Sequence, residues 1–569
     1  MAPEKPLRLV LCWHMHQPDY RDHLRNAWEF PWVYLHAIKD YTDMAAHLEA
    51  VPGARAVVNF SPILLEQIEG YETQLNDWLK EAVPLNDPLL AALETAVFPA
   101  DMEHRLALVK ACLRANRKRM IDPNGAYLRL AQIAELVMHD VHASTYINNQ
   151  YLSDLVTWYH LAWMGETVRR TDERIRYLIE QGSGFSLHQR RTLLQCIAEQ
   201  ITSVRTRYRK LADEGRVELS TTPYAHPIVP LMLDFKSARE AQPDVRLPVL
   251  EAYPGGAVRA GWHIEKGLAV FERFFGRRPR GCWPSEGSVS AATLDLLDAA
   301  GFAWTATGEA VLRNSLHRSG HKSVEPNAFY AAWRRPGSRL GLFARDDALS
   351  DLIGFTFADW HADDAVAELV RRLGIIADHT RHAPGAVVSI ILDGENAWEY
   401  YPQNGYFFLS ALYRRLAEHP RIRLCTFSEV METTTPRELT ELTAGSWVHG
   451  TFSTWIGDED KNRAWEILSE AKRVYDECLA HGHFDAQKRE RLARQLAVCE
   501  GSDWFWWFGG YNPAQTVSDF ERLFRLHLAN LYEMLGREPP QQLTRILAHG
   551  SGTPLLGGVI RPGAPPASS

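Results

Sequence analysis

The chain has 569 residues, 46% hydrophobic and 23% charged, with a net charge of −8. That length allows a large core and more than one domain, and the ordinary balance of apolar and charged residues describes a globular chain rather than a fibrous or disordered one. Mild acidity and the lack of a basic run disfavour polyanion binding, so nucleic acid is not an expected partner. The unusual counts are 18 Trp, 20 Tyr and 22 Phe. Many of these rings must be core, but several cluster near polar loops, as sugar-stacking platforms do. The seven cysteines are odd in number, widely spaced and without a CxxC pair. They point to a reducing compartment and away from a disulfide framework or zinc knuckle. With no long apolar span and no leader-like apolar stretch before the first strand, the expectation is a soluble cytoplasmic protein with no membrane partner.

Residues 7–13 form a short apolar, β-rich run, read as a buried strand ending in His14-Met15-His16-Gln17-Pro18. Residues 56–60 are a second strand, closed by Ser61-Pro62, an N-cap and first-turn proline for a helix. From about 75 to 213 apolar residues recur at helical spacing, as in Leu106, Val109 and Leu113, which predicts a helical insertion. Strand signals resume at 217–220 and end in a loop carrying His226. A helix with Ile264, Leu268, Phe271 and Phe275 on one face follows, stopped by Gly276. Next come a strand at Cys282-Trp283, a loop with Glu286, a helix capped by Ser290 and ended by Gly301, and a strand at 302–306. That is a parallel βαβ unit. Residues 340–344, 387–392 and 424–427 read as further strands. Residues 464–479, 486–498 and 517–535 read as amphipathic helices of a small bundle.

Repeated βα units in one long segment predict a barrel, and every polar motif falls after a strand, which gathers the motifs at one face. The expected division is a catalytic barrel over 1–430, including the helical insertion, a helical domain over 431–549 that contributes to the cleft, and a flexible tail over 550–569.

Two acidic loops carry the chemistry. Glu286 lies behind Trp283 and Pro284, and Asp393 ends the apolar run 387–392, 107 positions further on. A carboxylate pair beside indole rings is the equipment for cleaving a glycosidic bond. Apolar surroundings at a strand end raise a carboxyl pKa, as a general acid requires. The bland readings are a glutamate favouring the dipole of the next helix and an Asp-Gly turn. The run Glu395-Asn396-Ala397-Trp398-Glu399-Tyr400-Tyr401 is more than a turn needs, and it offers Glu395 and Glu399 as rivals to Asp393. His14, His16 and His226 follow strands at the same face. They are read as ligands of sugar hydroxyls rather than of a metal, although a His-X-His pair with a third donor also has metal-site form. Asp351 belongs to a polar rim or a solvated loop. Trp455 could line the cleft, and Trp504 lies in an aromatic run explained mostly by packing of bundle onto barrel, with one ring reaching substrate.

These motifs, in this order, resemble glycoside hydrolase family 57. The matching segments are His16-Gln17-Pro18, residues 217–226, residues 283–290 with Glu286, Leu392-Asp393-Gly394-Glu395-Asn396, and residues 447–455. The resemblance implies an incomplete, TIM-like (β/α)7 barrel with a C-terminal helical region. It also implies a retaining mechanism on α-glucans with Glu286 as nucleophile and Asp393 as acid/base, and no metal or other cofactor. His14, His16, Gln17, His226, Trp283, Glu395, Trp398, Asp351, Trp455 and Trp504 are the expected substrate contacts. Within the family the chain looks most like the α-amylase and amylopullulanase group, less like branching enzymes and 4-α-glucanotransferases. Gly509-Gly510-Tyr511-Asn512 replaces the acidic pair usual in that group. A metal-dependent polysaccharide deacetylase and a non-catalytic glucan-binding protein are the remaining alternatives.

Overall fold

Seven apolar runs form the parallel strands β1 (Leu7–Met15), β2 (Ala56–Phe60), β3 (Val217–Thr221), β4 (Gly281–Cys282), β5 (Trp304–Thr307), β6 (Gly341–Ala344) and β7 (Val387–Asp393). This is a computed structural model, and it describes residues 6–139, 141–383 and 385–552; residues 553–569, most of the expected tail, lie outside the described residues. The strands run in the order β7-β1-β2-β3-β4-β5-β6, each parallel to its neighbours. Both faces of β1 are buried. Leu9, Leu11 and Trp13 join the apolar layer shared with the outer helices, while Val10 and Cys12 join an inner cluster with Trp283, Trp304, Phe343 and Ile391. Alternation with period two puts successive side chains on opposite faces, and a sheet covered on both faces needs apolar residues at every position.

Among the described residues no ladder joins β6 to β7. Instead Asp346 N donates to Ser389 O at 2.8 Å and Arg345 Nε donates to Ile391 O at 2.7 Å. The sheet therefore curls into a barrel that a loop and one side chain finish. A short strand, Ile422–Leu424, pairs with the start of β1, and Trp333–Arg334 lies antiparallel to β6. The strand expected over 424–427 lies two residues earlier, at Ile422–Leu424. It stops at Leu424 because Thr426 and Glu429 form a capping box that starts the helix Phe427–Thr433.

Between β2 and β3 the described residues hold helices and no strand, beginning with α1 (Pro62–Glu81) and including α2 (Asn149–Trp163) and α3 (Leu187–Asp213). Around the barrel lie α4 (Gly256–Phe275), ended by Gly276 at φ +69°, and α5 (Ala291–Ala299), capped by Ser290 as expected. The C-terminal helices are α6 (Glu459–His481), α7 (Ala486–Cys499), the short α8 (Ser502–Trp507) and α9 (Ala514–Met534). A buried cluster ties them to the barrel: Glu500, just past α7, accepts from Arg259 at 2.7 Å, contacts His263 Nε2 at 2.8 Å and accepts from Tyr253 at 2.6 Å. All seven cysteines are unpaired and buried. Among the described residues no helix is long and apolar enough to cross a membrane.

Candidate active site

Glu286 sits in a tight turn after β4, with φ +58° and ψ 26°, a left-handed conformation that a non-glycine residue adopts at a cost of about 1–3 kcal/mol. Gly287 follows at φ +59°, and a Cβ there would stand 2.7 Å from the Trp283 ring. The turn is over-determined by its surroundings. Trp447 N donates to the Glu286 carbonyl at 3.1 Å and Thr307 Oγ1 donates to the Gly287 carbonyl at 2.6 Å. The Glu286 carboxyl accepts from Trp447 Nε1 at 3.0 Å and from Ser502 Oγ at 3.4 Å. Burial, followed by the nearby Asp393 and Asp503 carboxylates, pushes its pKa well above the usual range.

Asp393 is the last residue of β7, in register with His14 on β1. Burial raises its pKa to about 7, although His16, Asn396 and Arg345 pull the other way. His14, His16 and His226 form a stack, with ring centroids 5.8 Å, 5.1 Å and 3.9 Å apart for the pairs 14–16, 14–226 and 16–226. His14 Nδ1 lies 2.7 Å from Asn59 Oδ1 of β2, and burial lowers its pKa to about 3, so the ring is neutral. His16 Nδ1 meets Ser61 Oγ at 2.8 Å, and its Nε2 is 3.1 Å from both carboxylate oxygens of Asp503. The Ser61 hydroxyl is thus diverted from the capping role its position predicts, and α1 starts without a side-chain cap. His226 also takes a positive φ, +59°. Its Nδ1 meets Ser502 Oγ at 2.8 Å, and its buried Nε2 has no hydrogen-bond partner. Burial, reinforced by the other two rings, keeps it neutral.

These groups surround one cavity of about 270 Å³, whose floor carries His14, His16, His226, Glu286, Asp393 and Glu395. Aromatic walls rise from two sources: Tyr20, Phe30 and Trp32 follow β1, while Trp506 and Trp507 end α8. Gln17 also lines the cavity, donating to Glu395 Oε1 at 2.8 Å and accepting from Tyr20 OH at 2.9 Å. The rival Glu399 is buried away from the cavity lining, and burial raises its pKa to about 8.

Five expected contacts lie elsewhere. Trp283 is fully buried under the Glu286 turn, edge-on to Trp447 at 5.4 Å. Trp398 is buried and donates to Gly394 O at 2.9 Å, which staples the Asp393 loop. Trp455 packs behind Trp506 at 5.6 Å, and Trp504 donates to Val498 O at 2.8 Å inside the bundle. Asp351 is a half-exposed rim partner of Arg345 at 2.7 Å. The rings support the walls rather than forming them. Conversely, Asp503, Trp447, Trp506 and Trp507 line the cavity; the sequence offered Trp447 only within the segment 447–455 and one unspecified ring of the run 503–508, and the acidic residue opening that run was the further signal. Asn512, in the turn after α8, donates to the Trp506 and Trp507 carbonyls at 3.1 Å and 2.9 Å and closes off that helix.

His16, His226 and Asp503 bring one donor atom each within 4.8 Å of one another, a spacing with metal-site form. The direct His16–Asp503 contact and the Ser61 and Ser502 contacts already hold both rings. As it stands, the site sets the neutral His14 and His226 rings beside two buried carboxyls, Glu286 and Asp393, whose pKa values burial raises.

The family model described as Glycosyl hydrolase family 57 matches residues 10–443. The chain belongs to glycosyl hydrolase family 57. The match takes in six barrel strands whole, β1 from Val10 onward, and the loops of Glu286 and Asp393, and it ends before Asp503, Trp506 and Trp507. Among curated protein sequences, none matches the chain. Solved structures share the fold. A family 57 branching enzyme from Thermococcus kodakaraensis superposes with a TM-score of 0.56 at 16% identity, covering 93% of this chain and 90% of that one. The α-amylase AmyC from Thermotoga maritima gives 0.55 at 16% identity, covering 95% and 96%. A 4-α-glucanotransferase from Thermococcus litoralis gives 0.50 at 14% identity, covering 93% of this chain and 60% of that one. The protein is a glycoside hydrolase-type enzyme of family 57 with an incomplete (β/α)7 barrel.

Proposed function

We propose that this family 57 enzyme cleaves α-1,4-glucans with retention, in the manner of an α-amylase. Glu286 attacks the anomeric carbon while Asp393 protonates the departing oxygen. A covalent glucosyl-enzyme forms, and Asp393 then takes a proton from water as the sugar is released. The observation that carries this reading is the pair of carboxyls, from separate strand ends, on the floor of one aromatic-walled cavity. Retention requires them about 5–5.5 Å apart. The reaction needs the proton on Asp393 for the attacking step, and the hydrogen bonds from Trp447 and Ser502 offset part of the burial that raises Glu286. The aromatic walls suit the apolar faces of glucose units.

A second reading is transfer to another glucan chain, as in the branching enzyme and glucanotransferase that share the fold. Walls of Tyr20, Trp32, Trp506 and Trp507 around the acids favour it, because an acceptor sugar held there competes with water. Product analysis on maltooligosaccharides, pullulan and glycogen separates the two. Shorter products alone mean hydrolysis, disproportionated longer chains mean transfer, and new branch points mean branching. Glu286→Gln should lower turnover by at least about 10⁴-fold while glucan binding survives. Near-normal turnover in that variant would remove the proposal.

A further inference from the structure

The active-site cavity ends at a partition, and open space resumes beyond it. Phe30 and Arg114 line both the main cavity and a smaller one of about 140 Å³. The smaller cavity is walled by Trp28, Pro31, Leu89 and Tyr159, with Glu29 and Asp87 as its acidic groups. Aromatic and apolar side chains with a few polar groups make the kind of lining that takes a sugar unit.

Arg114 comes from the turn after the insertion helix Met102–Ala111. Its guanidinium stands over the Phe30 and Trp32 rings, 5.1 Å from each centroid, and reaches across to Asp519 of α9 at 2.7 Å. The pair thus joins two parts of the chain 405 positions apart directly at the cavity wall. The Arg114 side chain is 39% exposed and that of Asp519 14%. An ion pair this wet is weak and exchanges readily with water. Phe30 is anchored independently, since its ring is buried and packs edge-on against Tyr20 at 5.9 Å. The ring is the fixed part of the partition and the guanidinium the movable part.

We infer that Arg114, latched by Asp519, is a specificity gate that sets how many glucose units the active site engages. Latched, it ends the cavity at Phe30 and Trp32. Released, it joins the smaller cavity to the main one and adds a sugar-binding position walled by Trp28 and Tyr159. This inference rests on the α-glucan reading above.

The test is kcat/KM on maltooligosaccharides of increasing length for the wild type, Arg114→Ala and Asp519→Asn, with Glu286→Gln as the inactive control. With the gate removed, the ratio of kcat/KM for long over short substrates should rise by roughly tenfold, and the length at which kcat/KM levels off should move to longer chains. Asp519→Asn, which leaves the Arg114 side chain in place, should move the profile in the same direction. A length profile identical to that of the wild type in both variants overturns the gate. A uniform loss at every length also overturns it, by making Arg114 a direct sugar contact. A wild type inactive on the whole series, or an active Glu286→Gln, would instead sink the catalytic reading and this inference with it.

Discussion

Glu286 and His226 are both held at positive φ, and both face the cavity. Strain of this kind persists only where neighbouring bonds over-determine the conformation, and here those bonds run from Trp447, Thr307 and Ser502. Protonation at this site is equally a product of surroundings. Asp393 is raised to about 7 chiefly by burial. If it is the general acid, kcat/KM should fall about tenfold per pH unit above about 7. That limb should vanish for a substrate whose leaving group needs no proton, and its persistence there would assign the proton to another group. The same shift bears on stability. A folded pKa raised from 3.8 to about 7 leaves stability intact below 3.8 and removes it as pH rises to about 7. Asp393→Asn should therefore raise the melting temperature by a few degrees at pH 8 and leave it unchanged at pH 3. At this scale the sequence identified Glu286, Asp393, the three histidines, Gln17 and Glu395 as a group the structure brings together. It could not separate wall rings from supporting rings, because Trp504 and Trp506 differ only in the helix face they occupy.

Elements were legible where one physical cause dominates. Both faces of the parallel strands are covered, so they read as continuous apolar runs, and β2 falls where its run does. Ends were harder. The Thr426–Glu429 capping box cut a strand short, whereas Ser61 looked like a cap and is not one. The contrast gives a paired expectation. Thr426→Ala should cost about 1 kcal/mol of stability with little effect on turnover. Ser61→Ala should cost a similar amount, because His16 Nδ1 loses its partner, and should also lower kcat/KM roughly fivefold by freeing the His16 ring. Denaturant titration and steady-state kinetics on the two variants check both halves. Unchanged kcat/KM in Ser61→Ala would contradict the diversion of Ser61.

Across the whole molecule, the cavity is assembled from three parts: loops after the barrel strands, the Arg114 turn of the insertion, and helices α8 and α9. The Glu500 cluster locks bundle to barrel just ahead of Ser502 and Asp503. Its Arg259 and His263 partners outweigh burial and hold the Glu500 carboxyl down at about 2. Glu500→Gln leaves Arg259 buried beside a neutral amide, and should cost about 3–5 kcal/mol in denaturant unfolding. Catalytic efficiency should fall as well, since Asp503 and Trp506 lose their mount. Retained stability and activity would mean that α7 docks on its apolar surface alone. Strands, the two acidic loops at their ends, the histidines beside them and the family are all readable in the order of residues, because period, burial and local turn chemistry are written in adjacent positions. That Asp503 meets His16, which rings reach the cavity, and that Arg114 meets Asp519 emerge only on folding. Those contacts join residues hundreds of positions apart, and nothing in the local chain encodes which buried face each will share.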